Sequence, residues 1–457
     1  ASAFELDTST INGNLSLTAN GSITDENDSV ITVTGTADLI NLGSNNHTVD
    51  LTDGWHMWGD TVTITGHHAK IASGGAIKLG NITATIGQVV IIAKGDVTQT
   101  DTSSITSKND TSVTARCRDT CSPNVYYDIT LLNTSNDFYD DTGVGDELII
   151  IGKDVQLGSG DQINMGVSEI TGNLTLTSSD TITDNGIATV DGNLTATTDA
   201  NNGVIDLGSL AVDGEIALAT HGTGNATVVN DNGFTFAAST VGGNLDATAT
   251  LGNITDSGAL MITGTSTFVT SDNNATITLD QGGHAFTGAL LITTNDNDAA
   301  PNDTDGDVTI SAGSGAVLNF GTSTIDGDLI ATSSNTTGII DSGVMTVGGN
   351  ASFQTGTDNA DIVLDVGHAI AGKVTLNTTG SGGDATLDNG TTIVVLGTSA
   401  ASLATNVGGN LTLQTGNASG ITDSATVTVG GRFYATTDLN NGVINMGTLN
   451  ILDGGTI

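Results

Sequence analysis

The chain has 457 residues, of which 62 are glycine, 2 are proline and only 3% are aromatic. This composition excludes collagen, because the glycines follow no triplet period, and it is unlike that of disordered chains, because Val, Ile and Thr are abundant. The formal net charge of −41 repels phosphate backbones and anionic membranes, so nucleic acid is not expected as a partner. No apolar run approaches ~18 residues, so membrane insertion is not expected either.

Residues 1–44 are predicted to form the first coils of a β-solenoid. The sequence Gly-Asn-Leu-Ser-Leu from Gly13 alternates polar and apolar side chains with the period of a β-strand. The opening Ala-Phe-Glu-Leu alternates in the same way, which predicts a strand at the start of the sequence given.

Residues 45–155 are predicted to be solenoid coils with inserted loops, the longest from about residue 116 to residue 146. Trp55, Trp58, Tyr126 and Tyr127 lie in this region, in a chain that is otherwise poor in aromatic residues. They form a predicted recognition patch, which would stack on sugar faces or contact a neighbouring subunit. The alternative is that these rings only pack the loops onto the coils.

Both cysteines, Cys117 and Cys121, lie in the same inserted region. A disulfide between them is predicted, because the rest of the chain is typical of an extracellular protein. Two free thiols in a reducing compartment are the alternative.

Residues 156–457 are predicted to be regular solenoid repeats. Short strand openings of the form Gly-polar-apolar-polar-apolar recur roughly every 18 to 26 residues, the spacing of solenoid repeats. A longer echo, Ile-Thr-Asp or Ile-Ile-Asp, marks a super-repeat of roughly 70 to 90 residues. The openings begin at Gly13, Gly172, Gly192, Gly214, Gly243, Gly288, Gly306, Gly327, Gly349, Gly372, Gly409 and Gly431.

The predicted fold is all-β, a right-handed parallel β-helix of about 20-residue coils with loop insertions near residues 45–150. Each coil is expected to pair its strands with the same strands of the next coil, and stacked asparagine amides are expected to hydrogen-bond along the axis. Small aliphatic residues should fill a core too thin for aromatic rings. Glycine and asparagine should permit positive-φ corners.

Two kinds of metal site are considered. Asp303, Asp305 and Asp307 lie in an oxygen-rich segment that partly matches a calcium loop, so calcium is the one candidate cofactor. His56, His67 and His68 could bind a transition metal or be incidental surface residues. His221, His284 and His368 follow or precede glycine in similar contexts, which indicates turn positions of the repeat rather than a catalytic set.

No nucleophile elbow, phosphate-binding loop or dinucleotide fingerprint occurs in the sequence. The nine Lys and Arg residues are too few for the Asp and Lys or Arg clusters of polysaccharide lyases. The chain is therefore predicted not to be an enzyme, and a polysaccharide-active enzyme is the least favoured of three functions.

The phrases GNLTLTSSDTITD, SGALMITGTSTF and NNGVINMGTL resemble the repeats of large secreted bacterial surface proteins of the filamentous haemagglutinin-like, β-strand-repeat kind. The resemblance covers residues 160–457 well and residues 1–45 more loosely. It implies export to the cell surface and a role as shaft, adhesin or fibre.

The predicted function is that of an extracellular structural protein, whose copies stack head to tail into a surface fibre. Both ends of the sequence are strand-like, and end-to-end contacts that do not close generate filaments. The alternative is an adhesin shaft that binds a surface glycan or a protein through the loops at residues 45–150.

Overall fold

The computed structural model describes residues 3–43, 47–117, 121, 123–138, 146–295, 306–397, 404–437 and 442–452. Their regular elements are all β-strands, wound into a parallel β-solenoid of about 19 turns with coils of about 22 residues. The predicted all-β parallel β-helix is therefore confirmed. The described residues include no helix long and apolar enough to cross a membrane.

The chain divides into two compact units, residues 1–228 and residues 229–457. The strands from the start of the chain to the end of the first unit are β1 Phe4–Leu6, β2 Ser9–Ile11, β3 Leu15–Ala19, β4 Ile23–Asp25, β5 Ile31–Val33, β6 Ala37–Asn41, β7 Val49–Trp58, β8 Val62–Gly66, β9 Ala69–Ser73, β10 Ile77–Ala84, β11 Val89–Ala93, β12 Val97–Gln99, β13 Ile105–Thr106, β14 Thr111–Cys117, β15 Val125–Tyr126, β16 Ile129–Leu131, β17 Leu148–Gly152, β18 Val155–Ser159, β19 Ile163–Met165, β20 Ser168–Ile170, β21 Leu174–Ser178, β22 Ile182–Asp184, β23 Ala188–Val190, β24 Leu194–Thr198, β25 Ile205–Val212, β26 Glu215–Ala219 and β27 Ala226–Asn230.

The strands that follow are β28 Phe234–Phe236, β29 Ser239–Val241, β30 Leu245–Ala249, β31 Ile254–Asp256, β32 Leu260–Ile262, β33 Ser266–Asn273, β34 Ile277–Phe286, β35 Leu290–Asn295, β36 Val308–Ala312, β37 Leu318–Phe320, β38 Ser323–Ile325, β39 Leu329–Ser333, β40 Gly338–Asp341, β41 Met345–Val347, β42 Ala351–Asp358, β43 Asp361–Leu364, β44 Ala369–Ile370, β45 Val374–Thr379, β46 Ala385–Asp388, β47 Val394–Leu396, β48 Asn406–Val407, β49 Leu411–Thr415, β50 Ile421–Asp423, β51 Val427–Val429, β52 Phe433–Thr437, β53 Ile444–Asn445 and β54 Leu449–Ile451.

Each coil contributes strands to two columns of parallel, in-register pairs. In the first unit, β1, β4, β7, β9, β11 and β14 follow one another in one column, and β3, β6, β8 and β10 follow one another in the other. Some coils replace one long strand with two short ones, as when β17 pairs with both β19 and β20. A corner therefore interrupts the strand in some coils and not in others.

The core lies between the two columns, and alternation along each strand fills it. In β21 and β24, Leu174 stacks on Leu194 and Leu176 on Ala196, and all four side chains are buried. The residues between them, such as Thr175 and Thr195, point outward, because successive side chains of a strand face opposite sides of the sheet.

The expectation that aromatic rings do not fit the core is wrong. In the second unit, Phe236, Phe268 and Phe286 are at most 1% exposed, and their ring centroids lie 6.1 Å apart from one coil to the next. Neighbouring rings meet nearly edge to face, at interplanar angles of 83° and 78°. The rings come alternately from the two sheets, Phe236 and Phe286 from one and Phe268 from the other, so the thin core holds a file of phenylalanines that crosses between the sheets.

The glycines of the Gly-Asn-Leu openings are required chiefly for close packing between coils. The Gly192 N–H donates to the Gly172 carbonyl at 2.9 Å, and a Cβ placed on Gly192 would lie 2.6 Å from that oxygen. The sequence predicted glycine and asparagine at corners with positive φ. Such φ angles occur at other glycines, such as Gly222 and Gly252, and at several asparagines, such as Asn201.

The asparagine after each such glycine links two coils at the corner. The Asn173 side-chain oxygen accepts the N–H of Asn193 at 2.9 Å, and the Asn193 oxygen in turn accepts the N–H of Glu215 at 2.9 Å. Aspartate replaces asparagine without changing the bond, as at Asp154, whose carboxylate accepts the N–H of Asn173. The predicted ladder exists, but each amide binds the backbone of the next coil rather than only its neighbour's side chain.

We expect Gly192→Ala to lower the free energy of unfolding by roughly 1–3 kcal/mol, because the added methyl group would press on the Gly172 carbonyl. Gly208→Ala is the matched control, since the nearest atom to its Cβ would be 3.9 Å away. Urea denaturation of both variants tests this. Equal stability of the two variants would contradict the close-packing explanation.

Candidate functional site

The two tryptophans of the predicted recognition patch lie on opposite faces of β7. Trp55 is 37% exposed, and the Lys94 ammonium lies 3.7 Å from its ring centroid. Trp58 is 8% exposed, and its indole N–H donates to the Ala72 carbonyl at 3.0 Å. Residues three apart in an extended strand point to opposite sides, so Trp58 packs inward and only Trp55 is presented outward.

The two tyrosines of the predicted patch also differ in their surroundings. The Tyr126 hydroxyl donates to the Glu169 carboxylate, which also pairs with the Arg116 guanidinium at 3.0 Å. Tyr127 is bound through its backbone, donating to the Ala115 carbonyl at 2.9 Å. Tyr126 therefore fastens the antiparallel β14–β15 hairpin onto the outer side of β20.

The structure joins Cys117 and Cys121 in a disulfide with a Cα–Cα distance of 5.7 Å. This bridge closes the hairpin at the end of β14. The arrangement ties the inserted loop to the coils at two points, the disulfide and the Tyr126–Glu169 contact.

Of the three candidate calcium ligands, Asp303 and Asp305 lie outside the described residues. Asp307 is described, and its carboxylate accepts the N–H of Asp328 at 2.7 Å, so it belongs to the corner ladder. Within the described part of the chain, no three His, Cys, Asp or Glu side chains are arranged to hold a metal ion.

The most regular polar feature is a set of three buried histidine–aspartate pairs. His56 lies 3.0 Å from Asp25, His284 lies 3.0 Å from Asp256, and His368 lies 2.9 Å from Asp341, measured from Nε2 to the carboxylate oxygen. Each histidine is at most 1% exposed.

The second nitrogen of each ring also has a fixed partner. Nδ1 accepts a backbone N–H from the preceding coil: that of Ile31 at 3.1 Å, of Leu260 at 2.9 Å and of Met345 at 3.0 Å. An Nδ1 that accepts a hydrogen bond is unprotonated, so each ring is neutral with its proton on Nε2, beside the aspartate. In the first pair the His56 Nε2–H donates to the Asp25 carboxylate.

The aspartates belong to the Ile-Thr-Asp and Ile-Ile-Asp echoes, and their main partners are backbone N–H groups of the next coil. Asp256 accepts from Asp280 at 3.0 Å and from Gln281 at 3.2 Å. Asp184, which has no histidine, accepts from Gly208 at 2.9 Å and from Ser209 at 2.6 Å. The echo is thus a carboxylate that binds the corner of the coil above it.

Burial lowers the pKa of His56 and of His284, and this effect outweighs the opposing attraction of Asp25 and Asp256. At Asp341, burial acts to raise the pKa, but the His368 ring and the Val366 and Asp365 backbones outweigh it and hold the pKa below its usual value. Folding therefore favours the neutral ring at His56 and His284 and the ionised carboxylate at Asp341.

These pairs cannot act as catalytic bases in the folded chain. A histidine base needs a free ring nitrogen and access to substrate, whereas here Nδ1 is bound to the backbone and both side chains are buried. Asn389 fills the same role on the coil after His368: its side-chain oxygen accepts the N–H of Ile370 at 2.9 Å. The chemistry of the site is hydrogen-bond satisfaction at corners.

The remaining histidines differ from this set. His68 accepts the N–H of Gln88 at its Nδ1, and its pKa is lowered by burial and by Lys70 and His67. His221 is exposed, unlike His284 and His368, so the shared turn position predicted for all three holds for two of them. His56 forms the same kind of pair as these two, although it is preceded by Trp55 and not by glycine in the sequence.

The sequence carries a signal for two of the three pairs. At Asp256 and Asp341, an Ile-Thr-Asp or Ile-Ile-Asp echo is followed about one coil later by Gly-His. The spacing between aspartate and histidine is nearly the same in the two pairs. In each pair it places the two residues at the same corner of adjacent coils.

Taken together, stacked parallel coils, corner ladders and repeated buried pairs define a parallel β-solenoid repeat protein. Family comparison matches five stretches, residues 1–65, 66–144, 152–221, 223–293 and 305–377, to repeats of unknown function termed DUF5649. The matches cover most of the chain, which therefore belongs to the DUF5649 family. No curated protein and no solved structure matches the chain.

We expect His284→Leu to lower the free energy of unfolding by roughly 2–4 kcal/mol, because it leaves the Leu260 N–H and the Asp256 carboxylate buried without this partner. His284→Asn should lose much less, since an asparagine oxygen can accept the N–H as Asn389 does. Denaturation curves of the two variants provide the measurement. A leucine variant as stable as the asparagine variant would show that the hydrogen bond is unimportant.

Acid should destabilise the fold through His56 and His284. Their folded pKa values lie below the ordinary value of about 6.5, so the unfolded chain binds more protons in that window, and stability rises with pH. The stabilisation should be complete above about pH 6.5 and decline as pH falls through the folded pKa values. Denaturation midpoints at about pH 7.5 and about pH 5.5 should differ less in His284→Asn than in the unchanged chain. An identical difference would show that His284 does not contribute.

Proposed function

We propose that this chain is a structural β-solenoid, a subunit of an extracellular surface fibre in which coil edges of successive copies stack head to tail. The observation that supports this function most is that adjacent coils are joined by three kinds of contact. Adjacent coils share backbone ladders, corner bonds from Asn or Asp side chains, and a continuous core. A coil edge without a neighbour would therefore present backbone groups, corner side chains and core residues that a further coil could contact.

The first described coil shows which groups such an edge would present. Its strands β1, β2 and β3 pair with β4, β5 and β6. The N–H groups of Phe4, Ser9 and Leu15 donate to that second coil, so the intervening groups, such as the Glu5 and Thr10 N–H, point to the other side. Unpaired strand edges are templates for further pairing.

The last described coil has the complementary edge. Its strands β52, β53 and β54 pair with β49, β50 and β51. Ile444 is 47% exposed, whereas Ile421, which pairs with Ile444 on the preceding coil, is fully buried. A core position is thus half covered among the described residues, and in the proposed fibre the first coil of another copy covers it.

Export is supported by independent features. The Cys117–Cys121 disulfide suits an oxidising compartment, and the net charge of −41 keeps a long, repetitive β-protein soluble. The haemagglutinin-like style of the repeats points the same way. The second candidate, an adhesin shaft that binds through the loops at residues 45–150, is favoured by the exposed ring of Trp55 beside Met57, which is 47% exposed.

We expect the purified chain to form unbranched fibres of uniform width in negative-stain electron microscopy. Ile444→Lys should abolish them, because it places a charge on the half-covered core of the last coil. Ile187→Lys is the matched control, since Ile187 is 57% exposed beside an internal coil and should not affect stacking.

Circular dichroism should show that both variants remain folded. Single particles of the unchanged chain at high concentration, with or without calcium, would contradict head-to-tail assembly. Fibres that persist in Ile444→Lys would place the contact elsewhere.

A further inference from the structure

A polar groove of about 530 Å³ runs along four coils of the first unit. One wall is the corner ladder, with Asp128, Asp154 and Asn193 on successive or nearby coils. The other wall is the outward face of β18, β21 and β24, with Gln156, Thr175 and Thr195. The groove lies within one continuous run of paired strands, so its shape is fixed by the backbone.

The groove presents the same kinds of group at the interval of one coil. Thr130, Gln156, Thr175 and Thr195 are direct register partners across β16, β18, β21 and β24. Parallel strands lie ~4.8 Å apart, so their hydroxyl and amide groups form a file with that period. Such a file suits an extended, repeating ligand better than a compact one.

The two walls differ in whether their side chains already make hydrogen bonds within the protein. In the corner wall, the Asp154 carboxylate is held by the Asn173 N–H and by Lys153, and this lowers its pKa. In the face wall, the side chains of Gln156, Thr175 and Thr195 make no hydrogen bond within the described part of the chain. Their donors and acceptors point into the groove and are free for a ligand.

The charge in the groove narrows the ligand class. Lys153 is the basic group nearby, and it pairs with Asp154 at 3.0 Å and lies 3.8 Å from Asp128. Two carboxylates and one engaged lysine disfavour a phosphate, a sulfate or an acidic sugar. The described residues show no cluster of ligands for a metal ion here. The free groups are both donors and acceptors, and they are uncharged.

We propose that this groove binds an extended, uncharged polysaccharide, whose hydroxyl groups exchange hydrogen bonds with Gln156, Thr175 and Thr195. A ligand rich in groups that both donate and accept matches amide and hydroxyl side chains. The absence of an aromatic platform among the groove residues makes each contact weak, and the repeat along the coils compensates by multivalency. This site is independent of head-to-tail stacking, since it lies on the side of internal coils.

The experiment is affinity electrophoresis of the full chain in native gels that contain hydroxyethylcellulose, with alginate as the anionic comparison. The double variant Thr175→Val and Thr195→Val removes two hydroxyls while keeping the side-chain shape. We expect about tenfold weaker retardation by hydroxyethylcellulose, the size expected for two lost neutral hydrogen bonds. Thr189→Val, on the exposed face of β23, is the matched control and should bind as the unchanged chain does.

Retardation in hydroxyethylcellulose that the double variant loses and Thr189→Val keeps would support the proposal. No retardation of the unchanged chain, or equal retardation of the double variant, would overturn it. Stronger retardation in alginate would overturn the uncharged ligand class. Fibre formation can be scored in the same samples, so failure here is distinguishable from failure of assembly.

Discussion

The structure depends on one constraint: each coil must satisfy the backbone and cover the core of the next. Strands of three to five residues cannot stabilise themselves, and a single coil has no interior of its own. The pairing is parallel and in register, so a residue faces its equivalent one coil away, as Leu174 faces Leu194 and then Ile216. Sequence repetition is the consequence, because a residue that fits the column in one coil fits it in the next.

The corners are the weak point of this arrangement, and most of the buried polar residues lie there. Where a long strand faces two short ones, a backbone N–H loses its ladder partner and would be costly if left unpaired. A side chain supplies the acceptor: Ser168 for Ile150, Ser323 for Ile292, and His284 for Leu260. Serine, asparagine and histidine are therefore interchangeable solutions to one problem, and a buried histidine–aspartate pair need not indicate catalysis.

The same reasoning shows what could be predicted from the sequence. Strand alternation and the Gly-Asn openings predicted the fold class, because both patterns are local. Trp55 and Trp58 face opposite sides of the sheet because they are three residues apart in β7. This follows from the sequence if residues 49–58 are taken as one continuous strand. The phenylalanine file and the His–Asp pairs were harder to predict, since they depend on which coil lies above which. Inserted loops change coil length, and the register across coils is then set by packing rather than by counting residues.

Register also separates the three surfaces that this fold offers. The edge surfaces consist of backbone groups and core residues, so they recognise another coil and little else. The inserted β14–β15 hairpin is fastened by Cys117–Cys121 and by Tyr126–Glu169 and presents side chains outside the coil columns. The side faces repeat outward residues at the coil period, and a polar file such as Thr175 and Thr195 is accordingly matched to ligands that repeat themselves. The proposed assembly along the axis and the proposed binding along the side are compatible, because they use groups that point in perpendicular directions.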